Sequence, residues 1–202
     1  MFIGDQSQSN LLRVNTEVVD GVEQGSVMPF IDGLESGVMR PVFLADGSLL
    51  LGQTGRGWQA KGGHVASLQR VVWDGKTVAP AIHSAHATHS GFMVQLTQPL
   101  NDNVDAAKLQ ALIAVNSWVY RDAPDYGSDE LGKTNEKVTN VNISADRKQI
   151  TISLAELGHP SVHPQQTARV YHIALNNDNL FKEKAAAQLN TYYTLYKFAK
   201  AK

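Results

Sequence analysis

The feature that most constrains this chain is the recurrence of Asp-Gly turns between short apolar runs. Asp20-Gly21 separates Leu11–Val19 from Val22–Met28. Asp46-Gly47, within Ala45–Ser48, separates Val42–Leu44 from Leu49–Leu51, and Asp74-Gly75 ends a third run, Ser67–Trp73. A pair of residues that tolerates positive φ favours a tight turn whose twist matches that of two antiparallel strands. The first ~80 residues therefore read as β. They begin with a strand fragment at Phe2-Ile3-Gly4 and include a Gly-rich loop over Gly52–Gly63.

These signals also repeat. Phe2-Ile3-Gly4-Asp5-Gln6 is similar to Leu50-Leu51-Gly52-Gln53-Thr54, with Gly4 and Gly52 48 residues apart. Leu12-Arg13-Val14 and Val19-Asp20-Gly21 follow the first copy, as Gln69-Arg70-Val71 and Trp73-Asp74-Gly75 follow the second. Arg13 and Arg70 are 57 residues apart, the excess being a longer loop around Trp58–Ala66. A period near 48 with about four strands per period fits β-propeller blades. About one and a half blades are expected here, and such a portion leaves long edges and an uncovered apolar face. The expectation is that the segment continues blades lying N-terminal to it, since the sequence opens inside a strand.

The pattern changes near Lys76–Pro80. Phe92–Thr97 alternates apolar and polar residues, Val104–Leu109 suits one helical turn, and Leu112–Tyr120 is a strand carrying Trp118. Val138–Ile143 and Gln149–Leu154 flank a turn at Ser144–Lys148. Ala168–Leu175 places Val170, His172 and Ala174 on one face and Arg169, Tyr171 and Ile173 on the other. Phe181–Leu189 is Ala-rich and reads as a helix, and Tyr192–Leu195 is a closing strand. The expected fold is all-β. It comprises an incomplete β-propeller segment over residues 1–77 and an immunoglobulin/fibronectin-like β-sandwich over residues 78–202.

Composition narrows the function classes. With 18 Lys+Arg against 19 Asp+Glu the net charge is −1, so the chain has no basic footprint for nucleic acid or anionic lipid. Cysteine is absent, which excludes disulfides, thiolate metal sites, a thiol nucleophile and thioether-attached haem within these residues. No apolar run approaches the ~20 residues of a membrane helix, and Met1–Asp5 lacks a signal-peptide pattern.

The candidate ligand-binding residues are Gln53, Arg56, Trp58 and Arg70. They belong to Gly52-Gln53-Thr54-Gly55-Arg56-Gly57-Trp58 and to the following Leu68-Gln69-Arg70. Gly55, Gly57, Gly62 and Gly63 permit positive φ and close backbone approach. Arg pairs bidentately with carboxylate or phosphate, and Trp stacks on flat or C–H-rich ligands. No Gly-Lys-Ser/Thr follows, so this is not a phosphate loop. The expectation is a structural loop, with Trp58 buried over the core and Arg56 bonded to carbonyls. No catalytic residue is assigned.

His83, His86 and His89 recur every third residue. On a strand, His83 and His89 face one way and His86 the other, so no metal site is expected. His159 and His163 flank Pro160 and Pro164 in a loop. Asp122, Asp125, Asp129 and Glu130 surround Tyr126-Gly127-Ser128 without the spacing of an EF-hand. A Ser-His-Asp triad remains open, since its partners meet in space, but no nucleophile-elbow motif is present.

Several of these stretches together carry a family resemblance. They are Phe2-Ile3-Gly4-Asp5-Gln6, Asp46-Gly47-Ser48-Leu49, Gly52-Gln53-Thr54-x-Arg56-Gly57-Trp58, Gly62-Gly63, Leu68-Gln69-Arg70, Trp73-x-Gly75-Lys76 and Tyr192-Tyr193-Thr194-Leu195. The chain resembles the C-terminal part of bacterial glucose/sorbosone-dehydrogenase-like β-propeller proteins of the membrane-bound dehydrogenase type. That resemblance implies a periplasmic or extracellular parent that oxidises sugars or related alcohols with pyrroloquinoline quinone (PQQ). Its partners would be N-terminal propeller blades missing here and a cytochrome domain holding haem c. The chain by itself is expected to bind neither cofactor and to be inactive. The other reading is a non-catalytic sandwich module that binds carbohydrate or a partner protein.

Overall fold

The computed structural model describes residues 1–121, 124, 127–157, 168–176, 178–185, 187–197 and 199–200. Among them the chain is all-β, with three antiparallel sheets, none closed into a barrel. His159, His163, Asp122 and Asp125 lie outside the described residues.

The N-terminal part is two three-stranded meanders. The first is β1 (Phe2–Asp5), β2 (Asn10–Val19) and β3 (Val22–Ile31). Asp20 and Gly21 both have positive φ, 50° and 79°, the signature of a type I′ turn, and Val19 pairs with Val22 across it. The second meander is β4 (Val38–Phe43), β5 (Leu49–Thr54) and β6 (Ala66–Val71). Its first turn is held by Asp46, whose carboxylate accepts from the Ser48 amide at 3.0 Å and hydroxyl at 2.6 Å. Those bonds, ahead of the Arg70 guanidinium, hold the Asp46 carboxyl below its ordinary range.

The remaining strands are β7 (Ile82–Ala87), β8 (Gly91–Leu96), β9 (Ile113–Tyr120), β10 (Glu130–Asn135), β11 (Val138–Ile143), β12 (Gln149–Leu154), β13 (Arg169–Leu175) and β14 (Asn190–Leu195). A short helix, α1 (Ala106–Leu112), leads into β9. Asp105 caps it by accepting from the Lys108 amide at 2.7 Å. A four-stranded sheet, β11-β12-β8-β7, faces a seven-stranded sheet, β1-β2-β3-β14-β13-β9-β10.

The larger sheet takes strands from both sides of residue 77, because β3 pairs with β14 through Val27–Tyr192, Ser26–Tyr193 and Gly25–Thr194. Between the two sheets, Phe92 meets the rings of Tyr171 and Tyr193 at 5.0 and 5.2 Å. Ile150, Ile152, Ile173 and Leu109 fill the space around them. A second, smaller cluster of Leu11, Leu34, Val38, Leu49 and Leu51 lies between the two N-terminal meanders.

Two local expectations are corrected, and one strand escapes the sequence pattern. Phe181–Leu189 forms no helix in its described residues. Phe181 and Leu189 are both buried in the sandwich core, and this anchoring at two ends outweighs the weak propensity of so short a segment. In β7 a register shift between Ile82 and Ser84 leaves Ser84 and Ala85 consecutively buried. The strand ends at Ala87, so His89 is not part of it. His83 and His86 consequently both approach β2, where His86 meets Glu17 and His83 lies near Arg13. Finally, β10 has a single aliphatic residue, Leu131, and is an edge strand that alternation does not announce.

Candidate functional site

Three loops converge at one end of the N-terminal meanders: β1–β2, β3–β4 and β5–β6. Their backbones are tied to one another. The Leu34 amide donates to the Ser9 carbonyl at 3.0 Å, the Lys61 amide to the Ser7 carbonyl at 2.9 Å, and the His64 amide to the Glu35 carbonyl at 3.1 Å. Ser9 is the knot. It is fully buried, its hydroxyl accepts from the Gly62 amide at 2.9 Å, and its φ is 54°. A non-glycine residue in the left-handed region stores strain of about 1–3 kcal/mol, which the surrounding bonds offset. Gly62 is fixed by a different need, since a Cβ there would lie 2.2 Å from the Leu34 carbonyl oxygen.

These loops enclose a cleft of about 570 Å³. Its polar lining includes Gln8, Asn10, Asp32, Glu35, Lys61 and His64. Ser67 donates to the Glu35 carboxylate. The side chains of Asp32, Lys61 and His64 have no hydrogen-bond or ion-pair partner among the described residues, and Asn10 Oδ1 is buried without one. Unspent donors and acceptors converging on a concave site are the requirement for holding a polyhydroxylated small molecule. Sequence reading missed this set, because none of its members forms a motif. The available signal was positional: all but Asn10, the first residue of β2, lie in loops that alternate hairpins place at one end.

The residues singled out from the sequence divide around this cleft. Gln53 is buried in β5. It accepts from the Ser36 amide at 2.8 Å and donates to Gln69 Oε1 at 2.7 Å, so it braces the β3–β4 loop. Arg70 bonds Ser48 Oγ at 2.9 Å and pairs with Asp46, near the turn at the opposite end of β5. Neither lines the cleft.

Trp58 and Arg56 overturn the expectation of a packed loop. Trp58 is 62% exposed, and the Arg56 guanidinium has no carbonyl partner among the described residues. The reason is that the loop is pinned by its backbone instead. The Gly55 amide donates to the Val65 carbonyl and the Gly63 amide to the Ala60 carbonyl, at 2.8 and 3.0 Å. Gly57 and Gly63, at φ 87° and 81°, turn the chain outward between these ties.

Away from the cleft, Ser84, His86 and Glu17 stand in the order of a hydrolase triad. Ser84 Oγ is 3.1 Å from His86 Nε2, and His86 Nδ1 is 3.2 Å from Glu17 Oε2. Ser84 is buried, however, and a nucleophile must reach a substrate carbonyl. The group instead joins β2 to the sandwich. Glu17 also accepts from Tyr193 Oη and from the Ala87 amide. Burial, followed by this carboxylate, drives the Tyr193 phenol far above its ordinary range. The His83 imidazole is held low by burial and then by Arg13.

Among the described residues no three His, Asp or Glu side chains are grouped to hold a metal, and no helix is long and apolar enough to cross a membrane. Comparison with known proteins returns no matching family model, no matching curated protein and no matching solved structure.

Proposed function

We propose that this chain is the C-terminal part of an extracytoplasmic β-propeller protein of the sugar/alcohol-dehydrogenase type, and that it is catalytically incomplete alone. In this reading residues 1–77 carry the last propeller strands, and residues 78–202, whose larger sheet is extended by β1–β3, form an immunoglobulin/fibronectin-like cap. One observation carries the reading. The inner face of the β4–β5–β6 sheet packs against the first meander, while its outer face, where Val42, Leu50 and Leu68 lie between Arg40 and Arg70, is uncovered among the described residues. Val42 and Leu68 on that face are 54% and 69% exposed. A soluble protein rarely leaves such a face uncovered unless something docks on it, and in a propeller each sheet is covered by its neighbours.

Within that parent the cleft between the loops contributes hydrogen-bonding groups to a sugar or alcohol. The residues present do not fit either cofactor of the resemblance. Haem c needs cysteines, and the chain has none. PQQ is a polycarboxylate, whereas the cleft sets Asp32 and Glu35 against Lys61, an unsuitable balance for an anion. Both cofactors would belong to other parts of the parent.

The test has two arms. Incubated with PQQ, Ca²⁺, a sugar and an artificial electron acceptor, the chain shows no turnover above buffer. Reading the gene upstream of Met1 finds further blades of the same period. Turnover abolished in Arg56→Ala, or an upstream region encoding no blades, contradicts the reading.

A further inference from the structure

The solvent face of the seven-stranded sheet holds a group of rings that the proposed function does not use. Register assembles it from three strands. Trp118 and Tyr120 lie two apart on β9, and His172 of β13 sits directly opposite Tyr192 of β14. His172 stacks on Tyr192 with centroids 4.5 Å apart and planes at 17°. Trp118 meets Tyr192 and Tyr120 edge-on at 6.2 and 6.3 Å.

This face is not packed on the core. The alternate residues Ser117, Val119, Tyr171 and Tyr193 turn inward instead. The outward face of a half-buried antiparallel sheet is ordinarily polar, yet here Tyr120 and Tyr192 remain 44% and 39% exposed.

Two further observations restrict what such a face takes. Its charges are already satisfied: Lys133, lying 5.3 Å over the Trp118 ring, is paired with Glu130 at 2.6 Å, and Arg121 is paired with Asp129 at 3.0 Å. Among the described residues no net charge is left there to select an acidic or basic partner. Polar atoms within the ring cluster are nevertheless unsatisfied, since Trp118 Nε1 and His172 Nε2 are buried without a hydrogen-bond partner. A purely apolar partner would leave both in that state.

We propose that this face is a carbohydrate-binding surface for a neutral glycan chain. Pyranose rings offer C–H faces to Tyr120 and Tyr192 and hydroxyls to the nitrogens beneath. Lys133 swings off the Trp118 ring as the chain seats, opening the indole N–H to a sugar hydroxyl. The site lies on the sandwich, so it acts independently of the loop cleft. It would hold the parent protein on a polymer while chemistry proceeds elsewhere.

The experiment is titration of the full chain with cellohexaose and with xylohexaose, followed by calorimetry and Trp fluorescence, with an oligogalacturonide as the acidic comparison. The result expected is saturable binding of at least one neutral hexaose. Tyr192→Ala and Tyr120→Ala each weaken it about tenfold or more, whereas Trp58→Ala leaves it unchanged. Circular dichroism of each variant confirms that the fold is kept. Four results overturn the proposal: no binding to either neutral hexaose, binding insensitive to both Tyr→Ala changes, preference for the acidic oligomer, or self-association abolished by Tyr192→Ala.

Discussion

The sandwich and the β4–β5–β6 sheet are built from the same kind of sequence, short alternating strands joined by Asp-containing turns, but they use it differently. In the sandwich, apolar residues of two sheets meet around Phe92, Tyr171 and Tyr193, and both inner faces are consumed. In the small sheet, Leu49 and Leu51 are buried on one side while Val42 and Leu68 are left in solvent on the other. Alternation thus dictates that a strand has two faces, but a second layer decides whether the apolar ones are buried. The sandwich brings its own second layer for the core, and the small sheet has one layer too few.

The largest expected effect comes from removing the centre of the sandwich. Phe92→Ala should cost about 3–5 kcal/mol through the cavity it leaves, read as a lower urea midpoint by Trp118 fluorescence. Trp58→Ala, on the exposed loop, should fall within about ±0.5 kcal/mol. A comparable loss in both would erase the distinction between the two regions.

Next is the link between the regions. Glu17→Ala removes the carboxylate that accepts from the Tyr193 hydroxyl and the Ala87 amide and should cost roughly 1–3 kcal/mol. The loss should spread to the N-terminal meanders, with faster amide exchange along β2 as well as β7. Exchange that stays unchanged in β2 would show that the meanders hold without this joint.

A smaller effect is expected from pH. Burial lowers the pKa of His172, and burial with Arg13 lowers that of His83. Both imidazoles therefore resist protonation more in the folded chain than in the unfolded one. Their contribution is complete above the unfolded value of about 6.5 and is lost as pH falls through it, since the unfolded state then binds more protons. The urea midpoint should decline between about pH 7.5 and 5.5. His172→Phe, which retains the stack on Tyr192, should flatten that decline. Asp20, Asp46 and Asp74 have lowered pKa values and act only at more acid pH. An unaltered slope in His172→Phe would remove this residue from the account.

Much of the local structure was legible in the sequence. The Asp20-Gly21 and Asp46-Gly47 turns, and the alternation in Phe92–Thr97 and Ala168–Leu175, lie where the strands and turns are observed, because each depends on neighbours a few residues away. What escaped is non-local. The β3–β14 pairing joins residues 25–27 to 192–194, and nothing in either stretch names the other. The ring cluster is likewise a product of register: Trp118, His172 and Tyr192 are ordinary strand residues until β9, β13 and β14 are laid side by side. The exposure of Trp58 escapes the sequence because amides of the loop bond the Ser7 and Glu35 carbonyls and the Ser9 hydroxyl, leaving the indole no packing role. Such ties carry no side-chain pattern to read.

Sedimentation velocity tests most directly whether the outer face of the β4–β5–β6 sheet is a docking surface. The wild-type chain should associate as its concentration rises, through Val42 and Leu68. Val42→Ser combined with Leu68→Ser should give a monomer whose urea midpoint is within about 0.5 kcal/mol of wild type, as exposed positions allow. A wild-type chain that sediments as a monomer at every concentration, with the double variant indistinguishable from it, would contradict the claim.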